Sequence, residues 1–216
     1  MKQIRVPYTA AINNHSSLKD ISGLLDTLEK NAVDHHLWPA SAIKPDVTFA
    51  IAHHSDCLFL KYYVRENALR AVCLRPNDPV YTDSCVEFFV AFDGGSHYYN
   101  LEFNCLGTCL LGYGTGRDDR QLLPADVITQ IKHLAVIQSN SSTTASPSYT
   151  WQLTLMIPVE VFTNHRFSSL QGVKSRVNFY KCGDELPEPH FLAWSEIDAP
   201  APDFHLPEFF GQLNFE

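Results

Sequence analysis

Residues 81–107 read YTDSCVEFFVAFDGGSHYYNLEFNCLG. The stretch is two alternating segments joined by a DGGS turn. Side chains alternate between the faces of a strand. Val86, Phe88, Val90 and Phe92 therefore share one face of the first strand, and Asp83, Cys85, Glu87, Phe89 and Ala91 the other. In the second strand Tyr99, Leu101, Phe103 and Cys105 form an apolar row, and Tyr98, Asn100, Glu102 and Asn104 a polar one. Gly94 and Gly95 reach positive φ cheaply, so Asp93–Ser96 is the expected loop. That loop sets Ala91 opposite Tyr98, Phe89 opposite Asn100 and Glu87 opposite Glu102. The apolar rows then share a core face, and Asp83, Glu87, Asn100, Glu102 and Asn104 share the reverse face. Two glutamates placed directly opposite each other repel, so the pair calls for an arginine, a cation, a shared proton or a ligand. A slip of one residue would undo the pattern.

Working outward, Val47–His53 and Cys57–Glu66 read as a second hairpin about a His-Ser-Asp turn. Trp151–Ile157 alternates and stops at Pro158. Gly172–Lys181 alternates with Arg176, Asn178 and Tyr180 on one face, and Phe191–Ile197 carries Trp194. Residues 127–137 read as a strand, Gln212–Glu216 as a last one, and residues 1–13 as an edge strand or arm. Leu18, Ile21, Leu24, Leu25 and Leu28 fall at helical spacing, predicting a packing helix from Ser17 to about Ala32. LLGYGTGRDDR (110–120) reads as a glycine-rich connection, since it lacks the spacing of a phosphate loop. Ser139–Ser148 is a polar loop. Many short strands with little helix predict an all-β protein, an antiparallel β-sandwich of jelly-roll or immunoglobulin-like form with a short N-terminal helix. The chain is expected to be one domain over residues 1–216, with residues 1–37 as arm and helix.

Composition narrows the function. At 216 residues, 45% hydrophobic and 12% aromatic, the chain can build a sizeable core. Its net charge of −8 argues against nucleic acid and anionic membrane surfaces. No window nears a membrane span and the first residues lack a signal-peptide core. The expectation is a soluble, cytoplasmic chain, with export of a processed form left open. Six cysteines without a CxxC read as reduced and buried. The His35-His36 and His53-His54 pairs point to opposite strand faces and make poor zinc clamps.

The candidate site draws on the hairpin acids and amides (Asp83, Glu87, Asn100, Glu102, Asn104) and on Arg176 and Asn178 as their counterpart. Trp194, Trp38, Tyr81, Tyr98 and Tyr180 are candidate aromatic platforms. Such sets suit sugars: charged and amide groups each serve neighbouring hydroxyls, and aromatic faces cover the C–H side of the ring. A glycoside hydrolase using Glu87 and Glu102 is the alternative, although two acids from one hairpin approach from the same side instead of flanking a bond. A haem domain would need a histidine opposite Met156, which the sequence does not place.

DSCVEFFV, YYNLEFNCLG, WQLTLMIP, RVNFYKCGD, HFLAWSEI and FHLPEFFGQLNF, in this order from about Trp38 to Phe215, resemble the carbohydrate-binding module family 9-like proteins of the DOMON-type β-sandwich group. The resemblance implies non-catalytic binding of a mono- or oligosaccharide, a place in carbohydrate catabolism and a structural calcium. It further implies a sugar end gripped between two tryptophans, with Glu87 as the motif acid, Arg176 and Asn178 as the Arg-x-Asn strand and Trp194 as the later tryptophan. At the place of the first tryptophan this chain carries Tyr81.

Overall fold

The structure is a computed structural model that describes residues 2–38, 44–92, 94–140 and 148–216. In chain order the elements are β1 (Gln3–Val6), α1 (Leu18–Thr27), β2 (Asn31–Ala32), β3 (His35–Leu37), β4 (Asp46–His54) and β5 (Cys57–Glu66). Then come β6 (Cys85–Phe92), β7 (Tyr98–Asn104), β8 (Cys109–Gly114), β9 (Gln121–Leu122), α2 (Ala125–Ile128) and β10 (Lys132–Asn140). The chain finishes with β11 (Ser148–Pro158), β12 (Lys174–Cys182), β13 (Phe191–Ala193) and β14 (Gly211–Phe215). They form an all-β sandwich of two sheets. One runs β1-β14-β12-β6-β7-β8-β9, with β13 added to β12 and β3 to β13; the other runs β10-β11-β5-β4-β2. All pairs are antiparallel except β1 with β14, which is parallel.

The β6–β7 register is the one the turn dictates, with Glu87 opposite Glu102 and Phe89 opposite Asn100. The apolar rows of the hairpin face the second sheet. There Val86, Phe88, Leu101 and Phe103 pack with Phe49, Leu60, Tyr62 and Trp151 in one core. Across the interface between the sheets the Phe49 and Phe179 rings stack, 3.8 Å between centroids. A buried ionic clasp also joins them. Lys181 on β12 sets its Nζ 2.9 Å from Glu66 Oε2 on β5, and Trp151 Nε1 donates to Glu66 Oε1 at 2.7 Å.

Three sequence expectations shift. The helix ends at Thr27, because Lys30 Nζ donates to the carbonyls of Leu25, Asp26 and Leu28, completing the helix C-terminus with a cation. The strand expected over 127–137 begins at Lys132, since the chain after Pro124 first closes the α2 turn. Half of the glycine-rich stretch is strand β8, paired along β7. The helix packs Ile21 and Leu25 onto the outer face of the second sheet, beside Phe59 and Met156. Met156 is thus helix-packing core. No helix among the described residues is long and apolar enough to cross a membrane.

Candidate functional site

The reverse face of the hairpin is polar by sequence, but it is not open. Glu87 and Glu102 are each 2% exposed, and Asn100 is fully buried. The segment after β13 crosses over this face. Phe204 stacks on Tyr180, 4.2 Å between centroids, and Tyr180 Oη donates to the Phe204 carbonyl at 3.1 Å. Trp38 holds the same crossing from outside, its Nε1 donating to the Ala199 carbonyl at 2.6 Å. Between sheet and crossing lies a cavity of about 210 Å³. Glu87, Glu102 and Cys182 are contributed by the sheet, Tyr81 and Asp184 by the loops at its edge, and Arg117 and Arg120 by the turn after β8. Phe191, Pro202, Asp203, Phe204 and His205 complete the lining.

The arginine that answers the glutamates is Arg120. Its Nη1 lies 2.9 Å from Glu102 Oε1, to which Asn100 Nδ2 also donates at 2.8 Å. Two glycines make room for it. A Cβ on Gly112 would stand 2.5 Å from Asn100 Oδ1 and 3.1 Å from Arg120 Cδ, and one on Gly114 would stand 2.6 Å from Arg120 Cα. The missing side chains let the chain fold back over β8 and deliver the guanidinium to the sheet. Gly112→Ala is therefore expected to displace Arg120 and cost about 1–3 kcal/mol, the usual range for overpacking a tight site. Urea unfolding of the variant reads that loss, and an unchanged midpoint would refute the crowding.

Arginine donates only. At 3.2 Å from Arg120 Nη1, His205 Nε2 therefore accepts, and Nδ1 carries the proton given to Tyr98 Oη at 2.7 Å. Burial, with the charge of Arg120 beside it, lowers the His205 pKa to about 3, so the ring is neutral. Among the described residues no cation forms an ion pair with Glu87. Burial and then the charge of Glu102 push its carboxyl well above the ordinary value, and Cys182 Sγ lies 3.1 Å from its Oε1. Burial raises Glu102 as well, against the pull of Arg120. Among the described residues, Glu102 Oε2 and Asn100 Oδ1 are buried without a hydrogen-bond partner.

Of the residues singled out from the sequence, Tyr81, Glu87 and Glu102 line the cavity, and Asn100 backs it through Glu102. Asp83 and Asn104 lie deeper. Asp83 is fully buried and accepts from the N–H groups of Val72 and Cys73, from Asn104 Nδ2 at 3.0 Å and from Arg70. Burial alone would raise the Asp83 pKa. The Cys73 N–H, Asn104, the Val72 N–H and Arg70 outweigh burial and hold it below the ordinary 3.8.

Arg176, Asn178 and Trp194 lie elsewhere. Arg176 Nη2 donates to the Gly95 carbonyl at 2.6 Å, over the hairpin turn. Asn178 is buried and exchanges hydrogen bonds with Ser195, Nδ2 to its carbonyl at 3.0 Å and Oδ1 from its N–H at 2.8 Å. Trp194 is 3% exposed and belongs to the core between the sheets, its ring edge-on to Phe179 at 5.8 Å. Of the other candidate platforms, Tyr98 and Tyr180 are buried and Trp38 supports the crossing. Arg117, Arg120, Asp184, Asp203 and Phe204 were not expected, because their approach depends on long connections.

Metal-ligating side chains converge once among the described residues. One ligand atom each of Cys85, Glu87 and Cys182 lie within 4.8 Å of one another. Two of the three are sulfurs, whereas calcium takes six to eight oxygens. This group does not fit the calcium that the resemblance implies.

The family model for carbohydrate-binding family 9 matches residues 20–215. A solved Bacteroides uniformis ATCC 8492 structure, described as a candidate carbohydrate-binding protein, is similar over 100% of this chain and 99% of that one, with 36% identity and a TM-score of 0.89. A family 9 carbohydrate-binding module from Caldicellulosiruptor kristjanssonii, solved with glucose, is 12% identical with a TM-score of 0.59 over 100% of this chain and 96% of its own. A family 9 carbohydrate-binding module from the same organism, solved with cellotriose, gives 0.58 at 12% identity, covering 100% of this chain and 94% of that one. At that identity the likeness is one of fold. No curated protein matches the sequence. With its hairpin, its sandwich and a family match running almost from end to end, the chain belongs to carbohydrate-binding family 9.

Proposed function

We propose that the chain binds a mono- or oligosaccharide, without cleaving it, by taking one sugar ring into the cavity between the hairpin and the C-terminal crossing. The observation that carries this reading is Glu102, a lining residue whose buried Oε2 has no hydrogen-bond partner among the described residues. An unpaired buried acceptor costs about 1–3 kcal/mol, and a sugar hydroxyl donating to it removes that cost. Arg120 keeps Glu102 oriented as an acceptor. Glu87, its carboxyl pushed well above the ordinary value by burial and the charge of Glu102, faces the same ring. Phe204 and Tyr81 offer apolar faces to the C–H side of the ring, and Arg117 pairs with Asp203 at 3.1 Å at the rim.

Size favours one ring over a polymer face. About 210 Å³ holds about seven waters at ~30 Å³ each, the scale of a single pyranose. Glu87 and Glu102 stand side by side on adjacent strands, in one wall. A glycosidase needs its carboxyls to flank the scissile bond, which supports binding over hydrolysis. Glucose and cellotriose, bound by the Caldicellulosiruptor kristjanssonii modules, are the first ligands to try. A role in carbohydrate catabolism accords with this reading.

Isothermal calorimetry with glucose, cellobiose, cellotriose and a panel of other mono- and oligosaccharides is the test. One hydrogen bond to a charged group is worth about 1.5–3 kcal/mol, so Glu102→Gln is expected to weaken binding roughly 10–100-fold. Absence of heat with every sugar, or equal affinity in the variant, would sink the assignment.

A further inference from the structure

We propose that Cys85, Cys182 and Glu87 form a binding site for a thiophilic divalent cation of the zinc and cadmium class, opening into the cavity. The register brings the three together. Cys85 and Glu87 project from one face of β6, and Cys182 on β12 pairs directly with Cys85. Their ligand atoms lie within 4.8 Å of one another, with Cys182 Sγ 3.1 Å from Glu87 Oε1. Zinc–sulfur bonds of about 2.3 Å and zinc–oxygen bonds of about 2.0–2.2 Å place tetrahedral ligands about 3.5–3.8 Å apart. The remaining movement is about 1 Å at the side-chain ends, on two strands held in the middle of the sheet.

Access and coordination number agree. Cys182 and Glu87 line the cavity, while Cys85 is fully buried behind them. A cation entering from the cavity meets the carboxylate and one sulfur first, then the second sulfur. Three protein ligands leave a fourth position toward the cavity for water or a hydroxyl, the arrangement of an open zinc site. Two sulfurs select zinc, cadmium or copper(I) over calcium and magnesium. Binding forms two metal–sulfur bonds and one metal–oxygen bond; the displaced thiol protons, with the carboxyl proton of any protonated Glu87, pass to solvent with no change of oxidation state. Where Glu87 also serves the sugar, as the preceding section proposes, the cation and the sugar compete.

The test is titration of reduced, metal-free protein with Cd²⁺ in the absence of sugar, so that its outcome is independent of the sugar reading. We expect one equivalent to bind, with a thiolate-to-cadmium charge-transfer absorption and a rise in Tm. Cys182→Ser and Cys85→Ser should each cut that absorption by roughly half and weaken binding at least about tenfold. Glu87→Gln, which leaves both thiols in place, should keep the band and weaken binding. Cys57→Ala, on the outer face of the second sheet, should change neither. A missing band, a band unaltered in Cys182→Ser, an equal loss in Cys57→Ala, or a fall in Tm on adding Cd²⁺ overturns the site. Repeating the titration with a bound sugar then reads the competition.

Discussion

Asp83→Ala is expected to lower unfolding stability by about 3–5 kcal/mol, the range for deleting one partner of a buried ionic network. The carboxylate accepts the backbone N–H groups of Val72 and Cys73, the amide of Asn104 and the guanidinium of Arg70. Removing it leaves these four donor groups facing an emptied cavity, each worth about 1–3 kcal/mol when unsatisfied. For a chain of this size the Tm should fall by roughly 10 °C or more, read by calorimetry. The pH dependence follows from the direction of the shift. The folded carboxyl titrates below its ordinary 3.8, so its contribution is complete above that value and fades as the pH falls through the lower, folded pKa. Wild type and variant should therefore differ most at neutral pH and converge in acid below about pH 4. A constant difference down to strong acid would show that the lost contacts are not ionic.

Trp194→Ala is expected to cost a further large amount, about 3–5 kcal/mol for emptying a buried aromatic site, while leaving sugar affinity unchanged within about twofold at temperatures where the variant is folded. The indole fills space at Gly211, where a Cβ would stand 2.4 Å from Trp194 Cζ3, and abuts Phe179 on the core side of β12. Thermal melts read the first effect and calorimetry with the best sugar the second. A folded variant that no longer binds would place the indole at the ligand and overturn its assignment to the core.

The two halves of the site differ in how far they could be read from the sequence. Glu87 opposite Glu102 is legible because a strand has period two and the glycine turn leaves one register that puts both apolar rows on one face. The same alternation identifies β5, β11 and β12. Arg120 is invisible to that reasoning. It belongs to a turn whose return path depends on the absent side chains of Gly112 and Gly114, contacts made after the strands have paired. The cover over the polar face is likewise set by a proline-rich segment with no periodicity, held by Tyr180 and Trp38. Trp194 is ambiguous for a third reason. It lies just past the three-residue strand β13, too short a run for alternation to assign a face. Arg176 and Asn178 do share the hairpin's polar parity, and parity is silent on distance along the strand. Arg176 sits against Ala91, at the turn end, four residues from the level of Glu87.

The parallel pairing of β1 with β14 governs the order in which this molecule assembles. Gln3 meets Gln212 and Val6 meets Phe215, so the seam joins segments about two hundred residues apart. Loop closure costs about 0.6 kcal/mol for each doubling of length. The seam is therefore about 3 kcal/mol dearer to nucleate than the five-residue connection between β6 and β7. Hairpins close in microseconds, whereas pairings of such separation govern the slow phase of folding. The sheet thus grows outward from its own middle, and β1 is among the last strands to find its place.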